Sequence, residues 1–297
     1  LDDNTTNGNN TAVGYAALTA NTTGASNTAV GSLCMEANTT GSNLVTIGVR
    51  SLDSNTTGDG NTACGSYALR YNTTASYNTA VGHGALQSNT TGTENVAIGA
   101  YALDANTTAS YNTAVGHDSM TNTTTGFSNA ALGQDTLRDN TTGDGNTALG
   151  YSALLLNTTA DNNTAVGRVA MESNTTGYNN TAVGSNALNA NTTGINNAVL
   201  GQNALDACTS GSQNTAVGQQ ALSAVTTANG MTAVGRNALG SMVDGTNCVA
   251  IGENAGDAKT TGDSLVAVGR NCLSAVTTGN NNTAMGTNAG LSVTTGG

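Results

Sequence analysis

The residues able to carry acid–base, nucleophilic or metal chemistry are few. The chain of 297 residues holds two His, five Cys, 18 Asp and Glu, and seven Lys and Arg. His83 and His117 occupy the same place in a 17-residue repeat, two repeats apart. If each repeat is one β-rung, that separation is about 10 Å, too far for both to ligate one metal. No Ser-His-Asp arrangement follows from two histidines on one repetitive edge. Their position reads as a surface corner. Cys34, Cys64, Cys208, Cys248 and Cys272 make no C-x-x-C pair and fall at unmatched rungs. A disulfide framework is therefore not expected, and each reads as small apolar filler. Asp59 and Asp144 open Asp-Gly-Asn pieces of the kind found in calcium loops, but the Gly-Gly-x-Gly-x-Asp repeat is missing. No catalytic residue, metal site or cofactor is assigned.

Composition points the same way. Trp and Pro are absent, Phe127 is the only Phe, and 8% of residues are charged. About 25% is usual for globular domains. Such a chain cannot build a wide aromatic core, but it can repeat a thin one of Val, Leu and Ala. The net charge of −11 has no cluster, since the acids fall at variable places such as Asp53, Asp104, Asp144 and Asp206. These read as solvated corners. With so few basic residues, nucleic acid is excluded as a partner. An enzyme such as a polysaccharide lyase would gather basic residues and carboxylates in a groove, and the sequence gathers none.

The period supplies the architecture. Stepping by 17 from Asn10-Thr11-Ala12-Val13-Gly14 meets the same phrase or a variant seventeen times, with no insertion. With that Asn as position 1, the repeat reads N-T-A-V-G-x-x-A-L-x-x-N-T-T-G-x-x. Position 5 is always Gly, beginning with Gly14, Gly31, Gly48, Gly65 and Gly82, and is assigned as a structural turn. Position 9 is Leu or Met except at Gly256 and Gly290. Strict register argues against a disordered low-complexity chain. The expected fold is all-β: one parallel β-solenoid over residues 1–297. Positions 1–4 and 7–9 form two short strands, and Gly at 5 and Asn-Thr-Thr-Gly at 12–15 form the turns. Stacking at about 4.8 Å gives a rod on the order of 80 Å.

Substitutions indicate which positions face inward. Position 1 exchanges Asn for Leu44, Met231, Cys248 and Leu265, and position 12 for Cys208, Val225, Met242, Val276 and Val293. A place that accepts both Asn and Val is buried, and its Asn side chains stack into amide ladders. Lys259 at position 12 is an exception. Position 3 is Ala in 15 of 17 copies and lies on the other strand face from position 4. Such uniformity predicts close approach by a neighbouring chain, unless the Ala packs under a turn of its own chain.

The Asn-Thr-Thr copies, from Asn4 and Asn21 onward, are formal N-glycosylation acceptors. Their Asn is the inward position 12, so most are expected to be ladder residues. The Thr column at position 13, beginning Thr22, Thr39, Thr56, Thr73 and Thr90, reads as turn residues, or alternatively as an O-glycan carrier or contact surface. No segment is long enough to span a bilayer. The chain starts at repeat position 9 with Leu1 and stops at position 16, without a recognisable signal peptide or cap. It reads as a piece of a longer fibre.

Asn-Thr-Ala-Val-Gly followed by x-x-Ala-Leu resembles the head repeats of trimeric autotransporter adhesins, with their Ala-Ile-Gly-x-x-Ala core. It is also similar to repeats of phage tail-fibre-like and bacterial surface proteins. The resemblance covers the whole chain. It implies a left-handed parallel β-roll, a trimeric homo-oligomer, an extracellular, cell-surface or virion location, and a host-surface or matrix ligand. The period departs from the 14 residues typical of the adhesin repeat, and the extra three fit a longer Asn-Thr-Thr-Gly turn. The expected function is a non-enzymatic fibre component with an adhesive or spacer role. The alternative is an ice-binding β-solenoid using a Thr array. Against that alternative, adjacent Thr at 13 and 14 cannot share one strand face.

Overall fold

The structure, a computed structural model, describes residues 8–295. Backbone packing divides the chain into two units, Leu1–Asn146 and Thr147–Gly297. Each is a parallel β-solenoid without helix among its described residues. The first unit carries β1 (Thr11–Val13), β2 (Thr28–Val30), β3 (Val45–Ile47), β4 (Thr62–Cys64), β5 (Thr79–Val81), β6 (Val96–Ile98), β7 (Thr113–Val115) and β8 (Ala130–Leu132). The second carries β9 (Thr147–Leu149), β10 (Thr164–Val166), β11 (Thr181–Val183), β12 (Ala198–Leu200), β13 (Thr215–Val217), β14 (Thr232–Val234), β15 (Val249–Ile251), β16 (Val266–Val268) and β17 (Thr283–Met285). Every strand takes repeat positions 2–4 and pairs in register with the same positions one coil away, as Thr79↔Val96, Ala80↔Ala97 and Val81↔Ile98 do. The invariant spacing is thus the spacing of coils.

The second strand expected at positions 7–9 is absent. Positions 6–11 form a run of turns in which positions 7 and 9 both take positive φ, for example Leu33 at 59° and Met35 at 47°. Their N–H groups bond along the stack in opposite directions. Leu33 donates to the Tyr15 carbonyl of the preceding coil at 2.8 Å, and Leu18 to the Cys34 carbonyl of the following coil at 3.1 Å. A left-handed Leu costs about 1–3 kcal/mol. Full burial of its side chain returns about 1.5–3 kcal/mol, which offsets that strain. Gly256, one of the two exceptions at position 9, keeps the left-handed angle at φ 59° with no side-chain strain.

The core is thin. Leu and Ala at positions 9 and 8 come from the turn side, as Leu86 and Ala85 do, and are fully buried. From the strand side only position 3 enters, and Ala80 and Ala97 there are fully buried. The position 3 column therefore faces its own interior, not a neighbouring chain. The interior beside the Leu column is narrow and mostly holds a methyl group at position 3, though Thr46 and Val199 are buried there too.

Asn ladders line the core as the substitutions indicated. At position 12, Asn38 Nδ2 donates to Asn21 Oδ1, Asn55 to Asn38, Asn72 to Asn55 and Asn89 to Asn72, each at 2.9 Å. At position 1, Asn78 Oδ1 accepts from the Asn95 backbone N–H at 3.0 Å. The two columns meet at one acceptor: Asn78 and Asn89 both donate to the Gly92 carbonyl at 2.9 Å. A buried carbonyl has two lone pairs, and both are used. Where the ladder breaks the cost is visible. Thr123 replaces the seventh Asn, and Asn106 Oδ1 and Thr123 Oγ1 are buried without partners. Where the ladder ends, Asn191 Oδ1 turns to the Gly194 N–H at 3.1 Å. Asn4 of the first Asn-Thr-Thr lies outside the described residues.

A third ladder, not legible in the sequence, runs at position 16. Ser42 N–H donates to Asp59 Oδ1 at 2.7 Å, and Phe127 N–H to Asp144 Oδ1 at 2.8 Å. These acids are working acceptors for the neighbouring coil.

Lys259 is fully buried at position 12, where its neighbours along the column are Met242 and Val276. Its ammonium donates to the Gly279 carbonyl. Burial pushes its pKa below the ordinary 10.5. Between the lowered folded value and 10.5 the unfolded chain binds more protons, so this group makes stability rise with pH. Lys259→Val, which copies the next coil, is expected to stabilise the protein by about 1–4 kcal/mol at pH 7. The advantage should shrink as pH is raised toward 10.5. Thermal unfolding of both proteins across that pH range checks it.

Candidate binding surfaces

Because position 3 fills the core, positions 2 and 4 face out. Position 4 is apolar in every coil and position 2 is Thr, Val or Ala, with no charge at either. On the first unit Val13 is 57% exposed and Leu132 50%, and on the second Leu200 is 51% exposed. Each unit thus presents a strip about 10 Å wide, three residues at 3.3 Å each. One column along it is methyl-rich, and the other is mostly threonine. Regular columns of this kind can bury themselves against a second flat surface, or order water.

Gly14, Gly31, Gly48, Gly65 and Gly82, assigned as turns, leave the strip at φ between 136° and 145°. Thr22, Thr39, Thr56, Thr73 and Thr90 of position 13 are half-buried. Each donates Oγ1 to the position 13 carbonyl of the following coil, at 2.9–3.2 Å. Their hydroxyls are engaged within the stack. The exposed threonines of the turn are mostly those at position 14, such as Thr40 and Thr57. The flat Thr column lies at position 2, away from both.

A second surface follows positions 6, 7 and 10. On the first unit Tyr67, His83, Tyr101 and His117 stack edge to face, with centroids 5.6, 5.3 and 6.3 Å apart. A tyrosine therefore stands between the two histidines. His117 Nδ1 lies 2.9 Å from Asp118 Oδ2. Four aspartates of position 10 are not the solvated corners expected, although Glu36 there is exposed. Asp53 is 9% exposed between Arg50 and Arg70, at 3.6 and 3.4 Å. Burial pushes the carboxyls of Asp104, Asp206 and Asp257 above the usual range.

Four of the five cysteines are buried, Cys64 is half-buried, and all five are free thiols. Burial raises the Cys208 thiol to about 11, which suits filler and not a nucleophile. No group of three metal-ligating side chains occurs among the described residues, and no helix there is long and apolar enough to cross a membrane. No family model, curated protein or solved structure matches the chain.

Proposed function

We infer that the chain is a structural, non-enzymatic part of an extracellular or virion surface fibre. Identical chains associate through the uncharged strip of positions 2 and 4, three to a fibre as the resemblance to adhesin heads implies. One observation carries the reading: seventeen successive coils place an apolar residue outward at position 4 with no charge beside it. A soluble chain rarely leaves so regular an apolar surface uncovered. The same contact would serve a spacer or an adhesive shaft, with a host-surface or matrix ligand held elsewhere. Light scattering of the whole chain tests it, with a trimer expected. Leu132→Lys and Leu200→Lys together should shift the particle to monomer at unchanged far-UV spectrum. A monomer before substitution overturns the reading.

A second reading rests on the threonines of position 2. Thr147, Thr164 and Thr181 stand on adjacent in-register strands, one coil apart, beside the methyl column. That is the regular, uncharged lattice an ice-binding face needs. Thermal hysteresis from a monomer at micromolar concentration would favour it over the fibre.

A further inference from the structure

On the second unit, Tyr151, Arg168, Glu172, Asn189 and Asp206, with Val169 beside them, line an open hollow of about 450 Å³. They come from the four coils of β9 to β12, so the hollow follows the stack for about 14 Å. Its volume falls in the range of small-molecule sites, roughly 300–1,000 Å³. The sequence scatters these residues over positions 6, 7 and 10; the stacking collects them.

The lining is mixed in a definite way. Tyr151 is 48% exposed and offers a flat apolar ring with a polar tip. The Arg168 guanidinium sits 6.0 Å from that ring centre. Asn189 Nδ2 donates to the Val169 carbonyl at 2.8 Å and to Glu172 Oε2 at 3.3 Å. This holds the amide oxygen and the carboxylate in fixed places. Asp206 adds a second, half-buried carboxyl, whose desolvation a hydroxyl donor would relieve. An anion entering the hollow meets two carboxylates, and a cation meets the guanidinium. A molecule whose groups both donate and accept, and which has an apolar face for the ring, meets no such conflict. A pyranose ring is that molecule, and several joined in a line match a hollow drawn out along the stack.

The geometry points to a binding site for a neutral oligosaccharide in this hollow. Tyr151 stacks under one ring, Glu172 and Asp206 accept from hydroxyls, and Arg168 donates to them. The site lies on positions 6, 7 and 10, away from the uncharged strip. It therefore stands whether or not chains associate.

Calorimetric titration of the whole chain with soluble gluco-, manno-, galacto- and N-acetylglucosamine oligosaccharides tests the assignment. At least one neutral series should bind. Tyr151→Ala and Glu172→Gln should each weaken binding roughly tenfold or more, with unfolding temperature unchanged. Tyr178→Ala, an exposed tyrosine of the same unit outside the hollow, should leave binding as it was. Binding to none of the series overturns the assignment. So does binding undiminished by Tyr151→Ala, or tighter binding of an acidic oligomer such as oligogalacturonate.

Discussion

Gly99→Ala is expected to break the stack between β6 and β7. Gly99 has φ 137°, a conformation open almost only to glycine. A Cβ there would stand 2.3 Å from the Gly116 carbonyl oxygen and 2.5 Å from its carbon, both backbone atoms of the next coil. Neither a rotamer change nor a flexible side chain can relieve that. Strain and overlap together should cost about 4 kcal/mol or more, in the class of exceptional single-residue effects. In a solenoid each coil contacts mainly its neighbours, so the damage should be local. Hydrogen exchange should speed most at the Gly116 N–H, which donates to the Ile98 carbonyl at 2.7 Å. Gly84→Ala is the control. It has φ 64°, where Ala16 in another coil holds 51°, and its new Cβ would meet only side chains that can move, the Tyr101 ring and Gln87. Its effect should be about 1 kcal/mol or less. Equal losses at Gly84 and Gly99 would refute the argument.

Asn72→Asp is expected to have the next largest effect. Asn72 donates to Asn55 Oδ1 at 2.9 Å and to the Ala75 carbonyl at 3.0 Å, and accepts from Asn89 at 2.9 Å. Aspartate keeps the shape and loses the donor. At neutral pH its buried carboxylate would face the Asn55 oxygen and the Ala75 carbonyl, a loss of about 3 kcal/mol or more. Burial raises its folded pKa above the unfolded value of about 3.9. Between the two values the folded chain binds more protons, so stability falls as pH rises through that window. The variant should therefore recover partly in acid, where a protonated carboxyl can donate again. Denaturant titrations at neutral and acid pH decide it, and a flat profile would sink the ladder argument. Thr123 is a natural version of the defect, with the Asn106 oxygen left without a partner.

The coil spacing was legible because nothing interrupts it, and the ladders because Asn10 and Leu44 share a place that only burial reconciles. The faces of the strand were not. Val13 is larger and more apolar than Ala12, and the usual rule sends the larger residue inward. Here the buried Leu of the turn shares a thin interior with position 3, so the strand turns its position 3 residue in and the valine out. The missing second strand has a different cause. Leu33 and Met35 look like strand residues, and nothing in a leucine announces a left-handed backbone. The hollow at Tyr151 was invisible because its residues occupy variable positions, which read as solvated corners when taken one at a time. The signal that could have found it was the recurrence of aromatic side chains at positions 6 and 7.

The glycine of position 5 and the amide columns tie a residue to its counterpart a whole coil away. A deletion or duplication of 17 residues, or a multiple of 17, leaves every such pairing intact, whereas one of any other size misaligns the pairings that span the junction. Length in this architecture is therefore quantised. Recombination between near-identical coils can lengthen or shorten the protein without redesigning it, and corner residues such as those around Tyr151 travel with the coils that carry them.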